Sequence, residues 1–523
     1  MKKRFLAILL VLALLLGFVA CASPAAPVPG ADAPPPGGGT ADTTPTPTDP
    51  GKDYLVFALN QEPAGLDPYT IATPQGFIVS TLIHETLIKR ADDGSFIPWL
   101  ATSWEQVDEL TFHFNLRNDV YFHDGTKFTA DDAAYSLGVG ATSSFTIMLF
   151  GNIDPEATRA LDDYTLELVL TAPYAPLFEA LATFRAAMMS RTAREAMGEE
   201  AYGRAPVGTG PMRFVEWVSG DRIELAAHEA YWGEALPFTR ATARFLVEGS
   251  ARTIALETGG VDIAFDLPIP DWDRIDANAE TVLVAGESQS HSFLLLNNSM
   301  EPTTDIRVRR ALAHALDMEA LVRVAYQGQA VVADSFFAPN IFAYKPVGPY
   351  EFNQDLAREL LAEAGFPNGF SIDFHTMENQ LNMTMAEIVQ NMWGQVGVDV
   401  TINIVDLATQ TQLNNDGRIH SAIMAPTIAM ADPDAGLTIW PVHRTISIRH
   451  NDQHVQDLLD AGRTTWNEAE RIAIYHELQE YLFYMTYSIP VAFPRIAFGT
   501  RSNIYGMQFA PSGVPDLTQI RFA

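Results

Sequence analysis

The chain of 523 residues has a single cysteine, Cys21, so no intrachain disulfide can form and no CxxC pair is present to bind zinc. Basic residues are also scarce. There are 33 of them against 64 acidic residues, a net charge of −31, which excludes the basic face that a nucleic-acid binder needs to displace counterions. The same balance argues against an anionic membrane surface as a partner. No GxSxG elbow, no HExxH helix and no cysteine nucleophile beyond Cys21 occurs, so the motifs of nucleophilic and zinc hydrolases are missing. No histidine cluster with ligand spacing stands out, and neither a bound metal nor a cofactor is expected. Hydrophobic residues make up 47% of the chain, which rules out a wholly disordered or fibrous protein. At roughly 150 residues per domain the length suggests about three folding units.

One long apolar run is present. Lys2, Lys3 and Arg4 precede it and it extends from Phe5 to Ala20, the layout of a secretory signal. As a helix it would rise about 24 Å, short of the ~30 Å hydrocarbon core, so a permanent membrane anchor is the weaker reading. Phe18-Val19-Ala20-Cys21 resembles the bacterial lipobox, in which the cysteine is lipidated and becomes the first mature residue; Phe18 stands where an aliphatic residue is more usual. Residues 22–51 hold nine prolines and five glycines, with no aromatic residue and no Leu, Ile or Met. Such a segment buries almost nothing and reads as an extended tether. The expected organisation is therefore a signal peptide over 1–20, a lipidated cysteine with its tether over 21–51, and a globular body from 52 onward. With the signal removed, 64 acids face 30 bases, and only three of those acids lie in the tether, so the acidity belongs to the folded body.

In the body, Phe112, Phe114 and Leu116 alternate with His113, Asn115 and Arg117, the mark of a half-buried strand. The Asp124-Gly125 turn follows, and Thr129 with Asp132 three residues on forms a helix-capping pattern. Asp305 precedes a helix with an apolar stripe of Val308, Ala311, Leu312, Ala315 and Leu316. Another runs from about Asp355 to Gly365. Met385, Ile388, Val389, Met392 and Val396 mark a helical face, Gly397 ends it, and alternation over Val398–Ile404 gives a strand. A late helix spans about Glu468 to Met485, and a strand follows near Ile489 to Phe493. This is mixed α/β architecture.

Ordered motifs then carry a resemblance. They include Gln61-Glu62-Pro63, Pro98-Trp99-Leu100-Ala101-Thr102-Ser103-Trp104, Phe122-His123-Asp124-Gly125, Gly208-Thr209-Gly210-Pro211, Tyr231-Trp232-Gly233, Asp305-Ile306-Arg307-Val308-Arg309-Arg310, Leu360-Leu361-Ala362-Glu363-Ala364-Gly365-Phe366 and Asp432-Pro433. The body resembles the extracytoplasmic solute-binding proteins of peptide- and nickel-type ABC importers. The resemblance implies an α/β, two-lobe periplasmic-binding-protein fold of type II, with an extra subdomain in lobe one and a two-strand hinge. Lobe one would comprise 52–82, 205–284 and 486–523, its inserted subdomain 83–204, and lobe two 285–485. The hinge crossings would fall near Ser290–Leu296 and Ser488–Phe493.

His123-Asp124, Gly208–Pro211 and Asp432-Pro433 are read as structural: a turn, a tight backbone entry into a strand, and an N-cap with Pro at the first helical position. In peptide-binding relatives the loop before Asp432-Pro433 carries an Asp that pairs with the peptide ammonium, usually close to a Trp. Here Ala429 holds the place of that Asp and Pro426 that of the Trp, which removes a charge-assisted anchor; Asp432 or Asp434 could substitute, or the ligand is not an ordinary peptide. The second ligand-contacting loop maps to Ala72-Thr73-Pro74. The resemblance thus gives Thr73, Pro74, Met424, Ile428, Ala429, Met430, Asp432, Trp440 and Phe493 as candidate ligand-binding residues, no catalytic residue, and Cys21 as the lipidation site.

The leading expectation is a monomeric, lipid-anchored receptor outside the cell membrane. It captures a small solute, a peptide or peptide-like compound first, and delivers it to the membrane subunits of an ABC importer by hinge closure. The same fold binding an oligosaccharide, opine or metal chelate is the alternative. A secreted lipoprotein hydrolase using paired carboxylates, or a fold turned to sensing or adhesion, are the rivals from other classes.

Overall fold

The computed structural model describes residues 52–71, 73–91, 93–425, 430–436, 448–507, 509 and 514–523. Among these, one strand organises the body. Ser488–Arg501 is 14 residues long and is hydrogen-bonded to two different sets of partners. Its first part pairs antiparallel with Ser292–Leu296 and Ala330–Val332. Its last part pairs antiparallel with Thr281–Glu287 and Ile263–Ala264. The exchange of partners falls at Pro494 and Arg495, which pair with Ala330 and Glu287 respectively.

That strand is longer than the expected Ile489–Phe493. Pro490 and Pro494 interrupt the sequence pattern because proline donates no ladder hydrogen bond. Pro494 sits where the strand changes neighbours, and its carbonyl still accepts the Ser288 N–H at 3.1 Å.

Two groups of strands meet there. One contains Tyr54–Leu59 between Arg240–Phe245 and Ile263–Ala264, with Arg222–Ala227 and Met212–Val218 beyond. The other runs from Ser292–Leu296 through Ser421–Met424 and Phe370–Met377 to Val398–Val405. A separate antiparallel sheet of four strands, Ala101–Gln106, Thr111–Leu116, Thr165–Val169 and Arg159–Asp162, carries the phenylalanine-rich strand. Phe112, Phe114 and Leu116 are buried in its core, as the alternation requires.

Helix boundaries follow local chemistry. The Thr129 N–H donates to Asp132 Oδ2 at 3.0 Å, closing the cap of helix Ala130–Thr142. Helix Ile306–His314 stops earlier than its apolar stripe. Asp317 accepts the Ala320 N–H at 2.9 Å and starts a second helix, Met318–Ala325, while Ala315 and Leu316 remain buried. Gly365 and Gly397 take φ of +94° just past helices Gln354–Glu363 and Gln380–Gly394, a conformation that favours glycine.

The Gly208–Pro211 segment is a close backbone approach: a Cβ on Gly208 would lie 2.0 Å from the Ile83 carbonyl oxygen, and the Gly210 N–H donates to that oxygen at 2.8 Å. His123 clamps the same segment. The Gly208 N–H donates to Nδ1 at 3.3 Å and Nε2 lies 2.9 Å from the Gly210 carbonyl, an arrangement that needs the neutral ring. Burial holds its pKa down at about 4. The histidine and the glycines therefore secure a chain crossing.

Candidate functional site

Helix Pro74–Ile83 forms one wall of the site. It is fixed at its start by Gln75, whose Nε2 donates to Asn60 Oδ1 at 2.5 Å and Asp266 Oδ2 at 3.3 Å. Burial raises the Asp266 pKa. Phe77 on this helix packs against Phe184 with centroids 4.0 Å apart and the rings tilted by 40°. Behind the helix lies a cavity of about 470 Å³, bounded by the hairpin Ile88–Arg90/Phe96–Pro98, helix Leu177–Ala182 and residues 514–519 of the C-terminal segment. Its size is within the range of small-molecule pockets.

The cavity holds charge of both signs. Glu85 accepts hydrogen bonds from Trp99 Nε1 at 2.8 Å, Tyr231 O–H at 2.9 Å and Trp232 Nε1 at 3.0 Å. Burial raises its pKa against those donors. The Lys89 ammonium stands 3.5 Å from the centroid of the Trp99 ring, and burial lowers its pKa against the fields of Asp516 and Glu85. Arg90 and Glu179 pair at 3.2 Å.

Glu179 also marks where the cavity meets the second strand group, since its Oε1 accepts the Ala431 N–H at 3.2 Å. This contact belongs to an interface. The Ala175 N–H donates to the Arg463 carbonyl at 2.8 Å, the Tyr174 O–H to Asp434 Oδ2 at 3.4 Å, and Phe112 meets Trp466 at 5.7 Å. Met430 is fully buried in the same apolar cluster as Tyr69, Tyr174 and Leu177. The segment 430–436 is thus seated on the subdomain that carries the four-stranded sheet.

Two ion pairs hold that segment in shape. Arg471 grips Asp432 with both ends of its fork, at 2.7 and 2.8 Å, and donates from Nε to the Gly462 carbonyl at 2.7 Å. Burial alone would lower the Arg471 pKa, and the Asp432 carboxylate more than reverses it. Arg463 Nε donates to Asp434 Oδ1 at 2.8 Å. Helix Pro433–Gly436 begins directly after Asp432, whose Oδ1 accepts the Asp434 N–H at 3.0 Å.

The candidate residues fall in three places. Thr73 precedes helix Pro74–Ile83 with its hydroxyl buried and unbonded, and Pro74 is exposed at the first helical position. Met424 ends strand Ser421–Met424 opposite Phe293, and Phe493 pairs with Val331 in the shared strand; both pack in the cluster around Phe293. Met430 and Asp432 are taken up by the contacts just described. Ile428, Ala429, Trp440 and Cys21 lie outside the described residues.

Several residues without a sequence signal join the site. Glu85, Lys89 and Glu179 are ordinary charges in the sequence, and only folding brings them to one cavity. Outside the cavity, His291 stacks on Phe293 at 5.3 Å between centroids, with both ring nitrogens buried and unbonded; burial lowers its pKa to about 4. Among the described residues no cluster of three or more His, Cys, Asp or Glu is arranged to hold a metal, and no helix is long and apolar enough to cross a membrane.

Two strand groups that share one strand and are docked again at a second interface give the class of a hinged two-lobe protein, with the cavity lined by residues on one side of that interface. Comparison with known proteins makes the class specific. Residues 95–445 match the family model described as "Bacterial extracellular solute-binding proteins, family 5 Middle", and the chain belongs to that family, the solute-binding components of ABC importers. The chain is 28% identical over 492 residues to the glutathione-binding protein GsiB of Pectobacterium atrosepticum, covering 91% of this chain and 95% of that one. GsiB of Escherichia coli K12 is 26% identical over 474 residues, covering 87% and 92%. Among solved structures, the periplasmic binding protein DppA of Helicobacter pylori, in complex with peptide STSA, superposes with TM-score 0.77 at 25% identity, over 90% of this chain and 98% of that one. AgaA of A. tumefacien R10, in complex with agropinic acid, gives 0.76 at 25% identity, over 90% and 99%. The fold is the two-lobe type II periplasmic-binding fold.

Breaking the Asp432–Arg471 pair on one side leaves a buried charge without its partner, so Asp432→Asn and Arg471→Met are each expected to cost about 3–5 kcal/mol in urea unfolding. A loss below about 1 kcal/mol in both would show that the pair does not hold the interface segment in place.

Proposed function

We propose that this protein is the exported, lipid-anchored receptor of an ABC importer and that it captures a peptide or peptide-like solute between its lobes. The observation that carries the reading is the full-length relationship to glutathione-binding proteins, with a peptide-bound neighbour of the same fold. The strand partition supports lobe one as 52–82, 205–284 and 486–523, the subdomain as 83–204 and lobe two as 285–485. The four-stranded sheet lies wholly inside the insertion, while strand Thr281–Glu287 straddles the 284/285 bound and the first part of Ser488–Arg501 pairs with strands of lobe two. Thr73 and Pro74 at the start of helix Pro74–Ile83, and Met424 and Phe493 in the strands around Phe293, are the ligand-contacting candidates of this reading, as are Ile428, Ala429 and Trp440 by their place in the sequence. Work is done by differential affinity alone: a solute that contacts both lobes favours the closed state, and one that contacts a single lobe shifts nothing.

The basic start, the apolar run and Cys21 support export and lipid attachment, and the proline-rich tether would hold a monomeric body away from the bilayer. Binding and hand-over require no bond to break, so no reaction is assigned. A non-peptide solute is the second reading, favoured by Ala429 at the position of the amine-binding Asp and by the agropinic-acid complex among the neighbours.

Calorimetric titration of the purified protein with glutathione and with a set of dipeptides is expected to give a one-site isotherm for at least one of them. Heat from none of them, together with a co-purifying sugar or chelate in native mass spectrometry, would replace the peptide reading by the second. Palmitate labelling in a bacterial host is expected for the wild type and not for Cys21→Ala; equal labelling, or none in either, would remove the lipid anchor.

A further inference from the structure

The cavity of about 470 Å³ behind helix Pro74–Ile83 is lined, among the described residues, from within 80–99, 179–187 and 506–519, with Pro211 and Tyr231. Thr73, Pro74, Met424 and Phe493 do not line it, so the cavity and those candidates occupy different places in the fold.

Its charged groups are unequally committed. Glu85 is spent on the wall itself, since Trp99, Tyr231 and Trp232 all donate to it. Glu179 is divided between Arg90 and the Ala431 N–H. Lys89, by contrast, makes no hydrogen bond and no ion pair among the described residues. Its ammonium stands over the Trp99 ring and feels the charge of Asp516 without pairing with it. Asp516 is committed on one oxygen: Oδ1 accepts the Thr518 N–H at 2.8 Å and the Thr518 hydroxyl at 2.6 Å, while Oδ2 has no partner among the described residues.

An ammonium drawn out of bulk water with its three N–H groups unspent is costly. Burial lowers the Lys89 pKa accordingly. The contact with Trp99 returns about 0.5–2 kcal/mol and satisfies none of those N–H groups. Neither Lys89 Nζ nor Asp516 Oδ2 is sealed in by protein, so each remains accessible. The cavity thus has an uncommitted cation and an uncommitted carboxylate oxygen, with a gap between them that no ion pair closes.

Beside these two poles the wall is apolar, with Ile97, Phe184, Phe509 and Val514. Three acids in the lining, Glu85, Glu179 and Asp516, face two bases, Lys89 and Arg90, a balance that disfavours a ligand of net negative charge. The matching chemistry is a molecule without net charge that carries an acceptor for Lys89, a donor for Asp516 and an apolar body.

We propose that this cavity is a second ligand site, separate from the solute site between the lobes, and that it takes a zwitterionic α-amino acid with an apolar side chain. The carboxylate meets Lys89, the ammonium meets Asp516, and the side chain lies against Ile97, Phe184, Phe509 and Val514. Both polar contacts are charge-assisted hydrogen bonds. The volume suits one such molecule, because small-ligand pockets begin at about 300 Å³. Neither the identity of the inter-lobe solute nor hinge closure enters this assignment.

The full mature protein, freed of bound ligand by denaturation and refolding, is titrated with leucine and phenylalanine and with the N-acetyl and amide derivatives of each. At least one free amino acid is expected to bind. Its N-acetyl form, which lacks the ammonium, and its amide, which lacks the carboxylate, should each bind about 10–100-fold more weakly, the range for a lost hydrogen bond to a charged group. Lys89→Met keeps the stem on Trp99 and Asp516→Asn keeps an acceptor for Thr518, and each should weaken the free amino acid by a similar factor. Amide hydrogen exchange should slow over 84–99 and 514–519 when the amino acid is added. No binding of either amino acid at millimolar concentration, a derivative that binds as well as its parent, unchanged affinity in both variants, or protection confined to other segments overturns the inference. If a variant fails to fold, the exchange pattern and the derivative series of the wild type still decide. Failure of glutathione and dipeptides to bind between the lobes leaves all of these outcomes readable.

Discussion

Both strand groups depend on one strand, Ser488–Arg501, which must complete a ladder on each side of a single point. Neither sheet can slip in register without disturbing the other, because the ladders are consecutive stretches of the same backbone. The pivot is equally confined. The chain passes between groups at residues 287–292 and again at Pro494–Arg495. Few dihedral angles are available there to absorb a relative rotation, which favours rigid-body hinge motion over distributed deformation. Proline at the exchange point forfeits a hydrogen bond where the ladder is already changing partners.

The second meeting place of the two groups is polar at its edge and apolar at its centre. Met430 fills an apolar cluster, Glu179 accepts the Ala431 N–H, and Tyr174 donates to Asp434. The Asp432–Arg471 pair behind them is a costly feature if judged by stability alone, because a buried ion pair roughly breaks even against apolar side chains. What it supplies is geometry. It fixes the backbone of 430–436 so that the amide of Ala431 and the carboxylate of Asp434 are presented together. Glu179 links this interface to the cavity through its other oxygen, which pairs with Arg90, so cavity and docking surface share a residue.

Much of the fold could be read from the sequence, since periodicity and caps are local. The alternation at Phe112, Phe114 and Leu116, the Thr129–Asp132 box and the glycines at 365 and 397 each act within a few residues, and the observed elements follow them. The length of the shared strand was hidden by its prolines, whose tolerance depends on distant partners. The early end of helix Ile306–His314 was masked by an apolar stripe that continues into the next helix. The site was less legible. Thr73, Pro74 and Ala429 are reachable only through family resemblance, because no local periodicity or cap points to them as ligand contacts. Glu85, Lys89 and Glu179 carry no local signal at all, since only the packing of distant segments brings them to one cavity.

The central claim is that solute binding is coupled to the relation between the two lobes. Small-angle X-ray scattering of the solute-free protein, repeated at saturation with a solute that binds in calorimetry, tests it most directly. The account predicts a smaller radius of gyration at saturation, as the open fraction of the population closes. Saturated binding with an unchanged radius of gyration would contradict it.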